Sequence, residues 1–387
     1  MESNRIRILI LTPYYLPGYK AGGPIRSLAN LVQTLGDYFD FQIMTADREF
    51  RSDELYKGIN VNTWNRVGKA RVFYCTPDKK SLRFFKKMIR ETPHDILYLN
   101  SFFEASFTLI PLFLREIRNI PEKQTIIAPR GELSPGALAI KETKKSVFIE
   151  FAKKIGLYRN VIWHASNSYE ESHIKKIFGD EVTVRKADNI SSFYTENRVS
   201  SNFKTKGLLK ILFLSRISYK KNLDGALKIL KKVRGNIQFD IYGPIEDSVY
   251  WQKCQETISD LPENVKVEYK GMVPFEKVGE ILSKYHLFFL PSKAENYGQV
   301  IFEALSAGCP VLISDQTPWR DLEKASAGYL FPLNEEEKFV QVIEKLISYE
   351  WKDYSHLKKG ARTYAVNFQI RSESVTKYKA LFDLDIQ

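Results

Sequence analysis

A chain of 387 residues is too long for one small core and suggests two domains of ordinary size. Its 44% hydrophobic and 27% charged residues are those of a soluble globular protein, and three cysteines (Cys75, Cys254, Cys309) without CxxC spacing argue against a disulfide framework or a zinc cluster. A formal net charge of +12 asks for an anionic partner, such as a nucleotide sugar or an acidic membrane surface; nucleic acid is not expected, because no recognised binding motif or Arg-rich tail is present.

The first apolar run is shorter than a signal-peptide core or a membrane span, and so is Phe107 to Leu114. A reducing cytoplasm is the expected location. Ile6 to Thr12 reads as a buried strand. A loop follows, Pro-Tyr-Tyr-Leu-Pro-Gly-Tyr-Lys-Ala-Gly-Gly-Pro, and then a helix with Ile25, Leu28, Ala29, Val32 and Leu35 at helical spacing. Gly22 and Gly23 let the backbone approach a ligand at the helix start, but Gly18-x-x-x-Gly22-Gly23 is not the GxGxxG of dinucleotide binding.

Further strands are expected at Phe41 to Ala46, Arg71 to Cys75, Asp95 to Asn100, Thr125 to Ala128 and Val161 to Ala165, with helices between several of them. The alternation implies a parallel sheet covered on both faces, with ligand groups gathered at the carboxyl ends of its strands. Two basic segments, Lys79 to Arg90 and Lys141 to Arg159, are amphipathic. The first sets Leu82, Phe85 and Ile89 against lysines and arginines; the second sets Val147, Phe148 and Phe151 against Lys144, Lys145, Lys153 and Lys154. Each can pack its apolar face on the sheet or lie on anionic lipid at the inner face of the membrane. His164 and His173 read as a strand-end hydrogen-bonding group and a helix-surface residue.

The polar stretch Ile190 to Gly207 is expected to link the two domains, placed at about 1–195 and 205–367. A second α/β series starts at Leu208. Arg216 and Lys221 follow its first strand and precede a helix with Leu223, Leu227 and Leu230 on one face; two fixed cations there suit a diphosphate whose charge grows as a bond to it breaks. Strands at Gln238 to Tyr242 and Val265 to Tyr269 lead to the turns Gly243-Pro and Gly271-Met-Val-Pro. From His286 to Asp315 the chain reads as strand, polar loop, helix and strand. Glu295 lies in the loop and Glu303, eight positions on, in the helix, with a turn at Gly298 between them. The first N–H groups of that helix, at about Gly298 to Val300, form an anion site, and the two carboxylates suit sugar hydroxyls. Helices at Glu335 to Tyr349 and about Ser355 to Phe382 close the chain.

Ser-Lys-Ala-Glu-Asn-Tyr-Gly-Gln-Val-Ile-Phe-Glu-Ala-Leu-Ser-Ala-Gly-Cys-Pro-Val, with its Glu-x7-Glu spacing, resembles the signature of the retaining glycosyltransferases of family 4, and Arg216 with Lys221 match that family's cation pair in position and spacing. The resemblance implies an α/β GT-B fold, two Rossmann-like domains facing each other across a cleft, with the last helix, from about 368, returning to the first domain. It implies metal-independent transfer of a hexosyl unit from a nucleoside-diphosphate sugar to a glycan or lipid-linked glycan hydroxyl, with no cofactor. Arg216, Lys221 and Glu295 would be catalytic. Asn296, Tyr297, Gly298, Gln299, Val300 and Glu303 would hold the donor, Glu303 at the ribose. Gly22 and Gly23 would border the phosphates or the reacting sugar, and Met272 and Val273 the base.

The chain departs from the family at two strand ends. Tyr98 and Asn100 stand where many relatives have His-x-His, and Arg130 replaces a histidine in Ala-Pro-Arg-Gly-Glu. Asn100 could orient an acceptor hydroxyl and Arg130 bind an anionic acceptor or the phosphate. The missing histidines keep one other reading open, a catalytically weak sugar-nucleotide-binding partner subunit; a nucleotide-sugar epimerase or hydrolase of the same fold is a second alternative.

Overall fold

The computed structural model describes residues 5–139, 142–190 and 204–384, so most of the stretch expected to link the domains lies outside them. The chain divides into two units, Met1–Ile190 with Glu373–Gln387, and Ser191–Ser372.

In the first unit the order is β1 (Arg7–Leu11), α1 (Gly23–Leu35), β2 (Asp40–Ala46), β3 (Trp64–Val67), β4 (Ala70–Cys75), α2 (Leu82–Glu91), β5 (Ile96–Leu99), α3 (Ile110–Glu116), β6 (Gln124–Ile127), α4 (Pro135–Leu138), α5 (Glu142–Lys154), β7 (Ile162–Ala165), α6 (Ser168–Phe178) and β8 (Val184–Lys186). The strands lie in the sheet order β3-β4-β2-β1-β5-β6-β7-β8. β1, β2 and β5 are buried along nearly their whole length because both faces of the sheet are covered, and in β1 and β5 this gives continuous apolar runs instead of alternation. The expectation of an all-parallel sheet fails at one edge, where β3 pairs antiparallel with β4. β3 is half-buried, and Trp64 packs on Phe73 of β4 with ring centroids 5.5 Å apart.

The second unit runs β9 (Leu208–Leu214), α7 (Leu223–Lys231), β10 (Asn236–Tyr242), α8 (Ser248–Ser259), β11 (Val265–Gly271), α9 (Phe275–Leu282), β12 (Leu287–Leu290), α10 (Gln299–Ser306), β13 (Val311–Ser314), β14 (Gly328–Phe331), α11 (Glu336–Ser348) and α12 (Trp351–Ser372). Its sheet is parallel throughout, in the order β11-β10-β9-β12-β13-β14. The core is built from fully buried Ile211, Phe213, Phe239, Ile241, Phe288 and Ile313 with Leu227 and Leu230 of α7, each such side chain contributing about 1.5–3 kcal/mol of apolar burial.

The single final helix expected from the sequence is two. α12 ends at Ser372, Glu373 takes a left-handed conformation (φ 47°), and α13 (Ser374–Leu381) packs in the first unit. There Tyr378, Leu381 and Phe382 join the core beside Phe39, Phe41 and Tyr98, and Lys377 pairs with Asp188 at 2.7 Å. The described cysteines are all free and buried, and among the described residues no helix is long and apolar enough to cross a membrane.

Candidate functional site

In a parallel sheet the natural crevice lies where successive connections leave a strand in opposite directions, outside the carboxyl ends. In the second unit that point falls between β9 and β12, because β10 and β11 extend the sheet on one side of β9 and β12 to β14 on the other. The loop after β9 carries Arg216 and Lys221; the loop after β12 carries Glu295 and Gly298. The topology thus brings to one edge four of the residues singled out on sequence grounds.

The loops are tied together. Lys220 O accepts from Lys293 N at 2.8 Å and from Ser292 Oγ at 3.1 Å, and Asn222 Nδ2 donates to Pro291 O at 2.9 Å. The carboxyl ends of β9, β10 and β11 are fastened in series: Ser215 N to Tyr242 O at 3.0 Å, Gly243 N to Gly271 O at 2.8 Å, and Ile217 N to Pro244 O at 2.9 Å. A Cβ at Gly243 would stand 1.9 Å from Ser215 O, so only glycine lets the two strand ends pass.

Two ion pairs occupy the edge. Arg216 Nη1 lies 3.0 Å from Glu246 Oε2, with both side chains partly exposed. Lys221 Nζ donates to Glu295 Oε1, and this pair is more enclosed, its side chains 13% and 9% exposed. Burial pushes the Glu295 carboxyl up, but Lys221, helped by Lys220 and Ser292, outweighs it and holds the group below the usual glutamate range. Glu295 is therefore a carboxylate at neutral pH. Burial also lowers the Lys220 ammonium, with Glu295 pulling the other way. Lys293 stands 3.1 Å over the ring of exposed Tyr219, adding another cation to the rim.

Gly298 starts α10 in a left-handed conformation (φ 72°, ψ 55°), and its carbonyl accepts from Ile301 N at 2.8 Å, which sets the first turn. Trp319 Nε1 donates to Tyr297 O at 2.7 Å and fixes the entry to the helix. Asn296 and Val300 are half-buried; Tyr297 and Gln299 are buried; Glu303, a turn inside α10, is fully buried at 0% exposure. Met272, 42% exposed, and buried Val273 follow Gly271 at the end of β11.

The first unit has its own switch point, between β1 and β5. Gly22 caps α1 with φ 77°, and a Cβ at Gly22 or Gly23 would meet nothing within 4 Å, so the backbone there is open to approach. The preceding loop is held by a residue the sequence reading missed. Glu49 accepts from Tyr19 N at 2.6 Å and Lys20 N at 3.1 Å, while Tyr74 Oη donates to Leu16 O at 2.6 Å.

The two departures from the family pattern touch each other. Arg130 Nη2 donates to Asn100 Oδ1 at 2.7 Å and to Tyr98 Oη at 2.9 Å, and Nη1 to Asn189 Oδ1 at 2.8 Å. His164 completes the chain. Its Nε2 faces Ala187 O at 2.8 Å and must donate, so Nδ1 accepts from Tyr98 Oη at 2.7 Å. Burial, with the Arg130 guanidinium second, pushes His164 down to about 3, so it stays neutral, a structural histidine.

These units define a GT-B protein. Its structure matches the Anabaena protein Alr3699/HepE in complex with UDP-glucose (TM-score 0.70, 16% identity, 97% of this chain and 99% of that one) and the sucrose-phosphate synthase of Thermosynechococcus elongatus (TM-score 0.71, 14% identity, 98% and 99%). A family model described as "Glycosyl transferases group 1" matches residues 195–364. Among curated proteins, an "Uncharacterized 41.2 kDa protein in cps region" of Klebsiella pneumoniae is 22% identical over 309 residues, 76% of this chain and 80% of that protein.

Proposed function

We propose that the protein is a retaining glycosyltransferase of family 4 that moves a hexosyl unit from a nucleoside-diphosphate sugar to a hydroxyl of a glycan or lipid-linked glycan, in cell-surface polysaccharide or glycolipid assembly. The observation that carries this reading is the gathering of Arg216, Lys221 and the Gly298 helix start at the β9/β12 switch point. Arg216 and Lys221 bind the diphosphate as its charge develops, the α10 start adds backbone N–H groups, and Glu295 orients the transferred sugar. Glu303 takes the ribose and Met272 with Val273 border the base. This donor grip uses no metal or cofactor, since the cation pair and the helix start provide the positive potential.

On the acceptor side, Asn100 orients the hydroxyl and Arg130 holds that amide in place. Gly22 and Gly23 leave the backbone of their loop open to approach by the donor phosphates or the reacting sugar. The leaving phosphate takes the acceptor proton, so the reaction proceeds without the missing histidines. The protein works in the cytoplasm, with peripheral contact at anionic membrane. A binding-only partner subunit remains the second reading, favoured by Tyr98, Asn100 and Arg130 at the positions of those histidines.

The test is a thermal-shift panel of nucleoside diphosphates and their sugars followed by product analysis with and without acceptor glycans. A nucleoside diphosphate present at a hundred times its Kd adds about 2.7 kcal/mol, which raises the melting temperature of the second unit by roughly 5–10 °C. Absence of a shift with every nucleotide removes the donor reading; a shift without transfer or hydrolysis selects the partner subunit.

Glu295→Gln separates the two roles at the edge. Free of its carboxylate partner, Lys221 is expected to bind the product nucleoside diphosphate about tenfold more tightly, the effect of one partly screened charge. Transfer is expected to fall by about tenfold or more, because the sugar loses its carboxylate acceptor. Titration calorimetry and steady-state rates check the opposite signs.

A further inference from the structure

Helix α5 carries apolar side chains on two faces. Ile149 and Ala152 are buried and Phe148 lies 5.8 Å from Phe103, ring centroid to ring centroid, which seats one face on the first unit's core. Val147 and Phe151 do not share it. With Ile155, whose N–H continues the helical turn to Phe151 O, they stand at four-residue intervals on an outward stripe, 66%, 59% and 40% exposed. The sequence expectation of one apolar face containing Val147, Phe148 and Phe151 is corrected accordingly.

The stripe also carries charge. Lys144 precedes Val147 by three positions and Lys154 follows Phe151 by three, so both exposed ammoniums flank the apolar residues. Lys145 turns inward to Ala137 O and the Phe103 ring, and Lys153 pairs with Glu150 at 3.1 Å. The other basic helix is different: in α2 Phe85 and Ile89 are fully buried, leaving Leu82 as its exposed apolar residue. A lone exposed Leu is ordinary on a protein surface, whereas three large apolar side chains in register are not.

We infer that the outward stripe of α5 docks on an anionic lipid surface, Val147, Phe151 and Ile155 entering the acyl boundary while Lys144 and Lys154 meet the headgroup phosphates. A protein partner covering Phe151 would have to bring both a hydrophobic socket and carboxylates for the two lysines. An acidic bilayer offers both along its whole surface, and the chain's net charge of +12 favours approach to it. The inference deepens the membrane-facing part of the proposed function, and it does not depend on transfer.

The experiment is co-sedimentation of the full chain with phosphatidylcholine vesicles, with and without phosphatidylglycerol, and with the nucleoside-diphosphate thermal shift measured on the same preparation. Binding is expected only with phosphatidylglycerol. The double variant V147S/F151S should bind about tenfold or more weakly with an unchanged melting temperature, and K144E/K154E should lose binding most at low salt. Leu82→Ser should bind as the parent does. Failure of the parent to sediment with phosphatidylglycerol overturns the proposal, as does equal binding by V147S/F151S. A parent that is dimeric in lipid-free ultracentrifugation, and monomeric once Phe151 is Ser, would assign the stripe to a second copy instead. The thermal shift tells these failures apart from failure of donor binding.

Discussion

Arg216→Ala is expected to lower the turnover of sugar transfer by about a hundred- to a thousandfold, while the donor KM moves much less. The asymmetry follows from when the charge appears. Before the glycosidic bond breaks, the diphosphate shares its charge with the sugar ester; afterwards the full charge rests on the leaving group, and a cation fixed at the strand end stabilises that state more than the starting one. Arg216 is held for this by Glu246 at 3.0 Å and by the Ser215 and Ile217 backbone bonds on either side of it. The pair is partly exposed, so its removal costs stability only about 0–1 kcal/mol. The melting temperature should therefore change little while the rate collapses, and a rate close to that of the parent would remove Arg216 from the chemistry. Arg216→Lys should recover part of the loss, because a point charge replaces the planar fork.

Much of this edge is legible in the sequence alone. Apolar runs at Leu208, Gln238 and His286 mark β9, β10 and β12 because interior parallel strands are buried on both faces, and the residues just after such runs must emerge at the carboxyl ends. That places Arg216, Lys221, Glu295 and Gly298 at one edge with no knowledge of the contacts. The partners were not legible. Glu246 meets Arg216 from the loop after β10, and Glu49 reaches Tyr19 and Lys20 across 30 and 29 positions, pairings set by the sheet order and not by local pattern. The Lys221–Glu295 bond was hidden for the same reason: the two residues read as serving different parts of a ligand, yet they first serve each other.

Short, weakly patterned elements were lost too. β3 is a half-exposed edge strand of four residues, β8 has three, and neither has an apolar run to announce it. The break at Glu373 has no proline or glycine beside it; Tyr378 and Phe382 have their pocket in the first unit, and the helix turns there to fill it. In α5 the heptad-like spacing of Val147, Phe148 and Phe151 looked like one face because 3.6-residue periodicity tolerates a wide arc, and only the position of the sheet decides which half of the arc is inside.

Gly243→Ala is expected to destabilise the second unit by about 3 kcal/mol or more, through overpacking on top of a strained φ. The added Cβ would fall 1.9 Å from Ser215 O, a backbone atom with no rotamer to yield, and the residue sits at φ 138°, which L side chains rarely adopt. Relief would require moving the 215–217 segment. That segment is pinned on both sides by Ser215 N to Tyr242 O and Ile217 N to Pro244 O, so the strain is passed directly to Arg216. At roughly 2–4 °C per kcal/mol for a unit of this size, the melting temperature should drop by about 6–12 °C, and the surviving folded protein should transfer sugar slowly because its cation is displaced. Gly271→Ala is the control. Its φ of 76° is also left-handed, but a Cβ there meets nothing within 4 Å, so only the backbone cost of about 1–2 kcal/mol applies. Equal melting temperatures for the two variants would mean that close approach of the strand ends does not position Arg216, whereas a large gap between them, with activity lost only in Gly243→Ala, ties the shape of the edge to its chemistry.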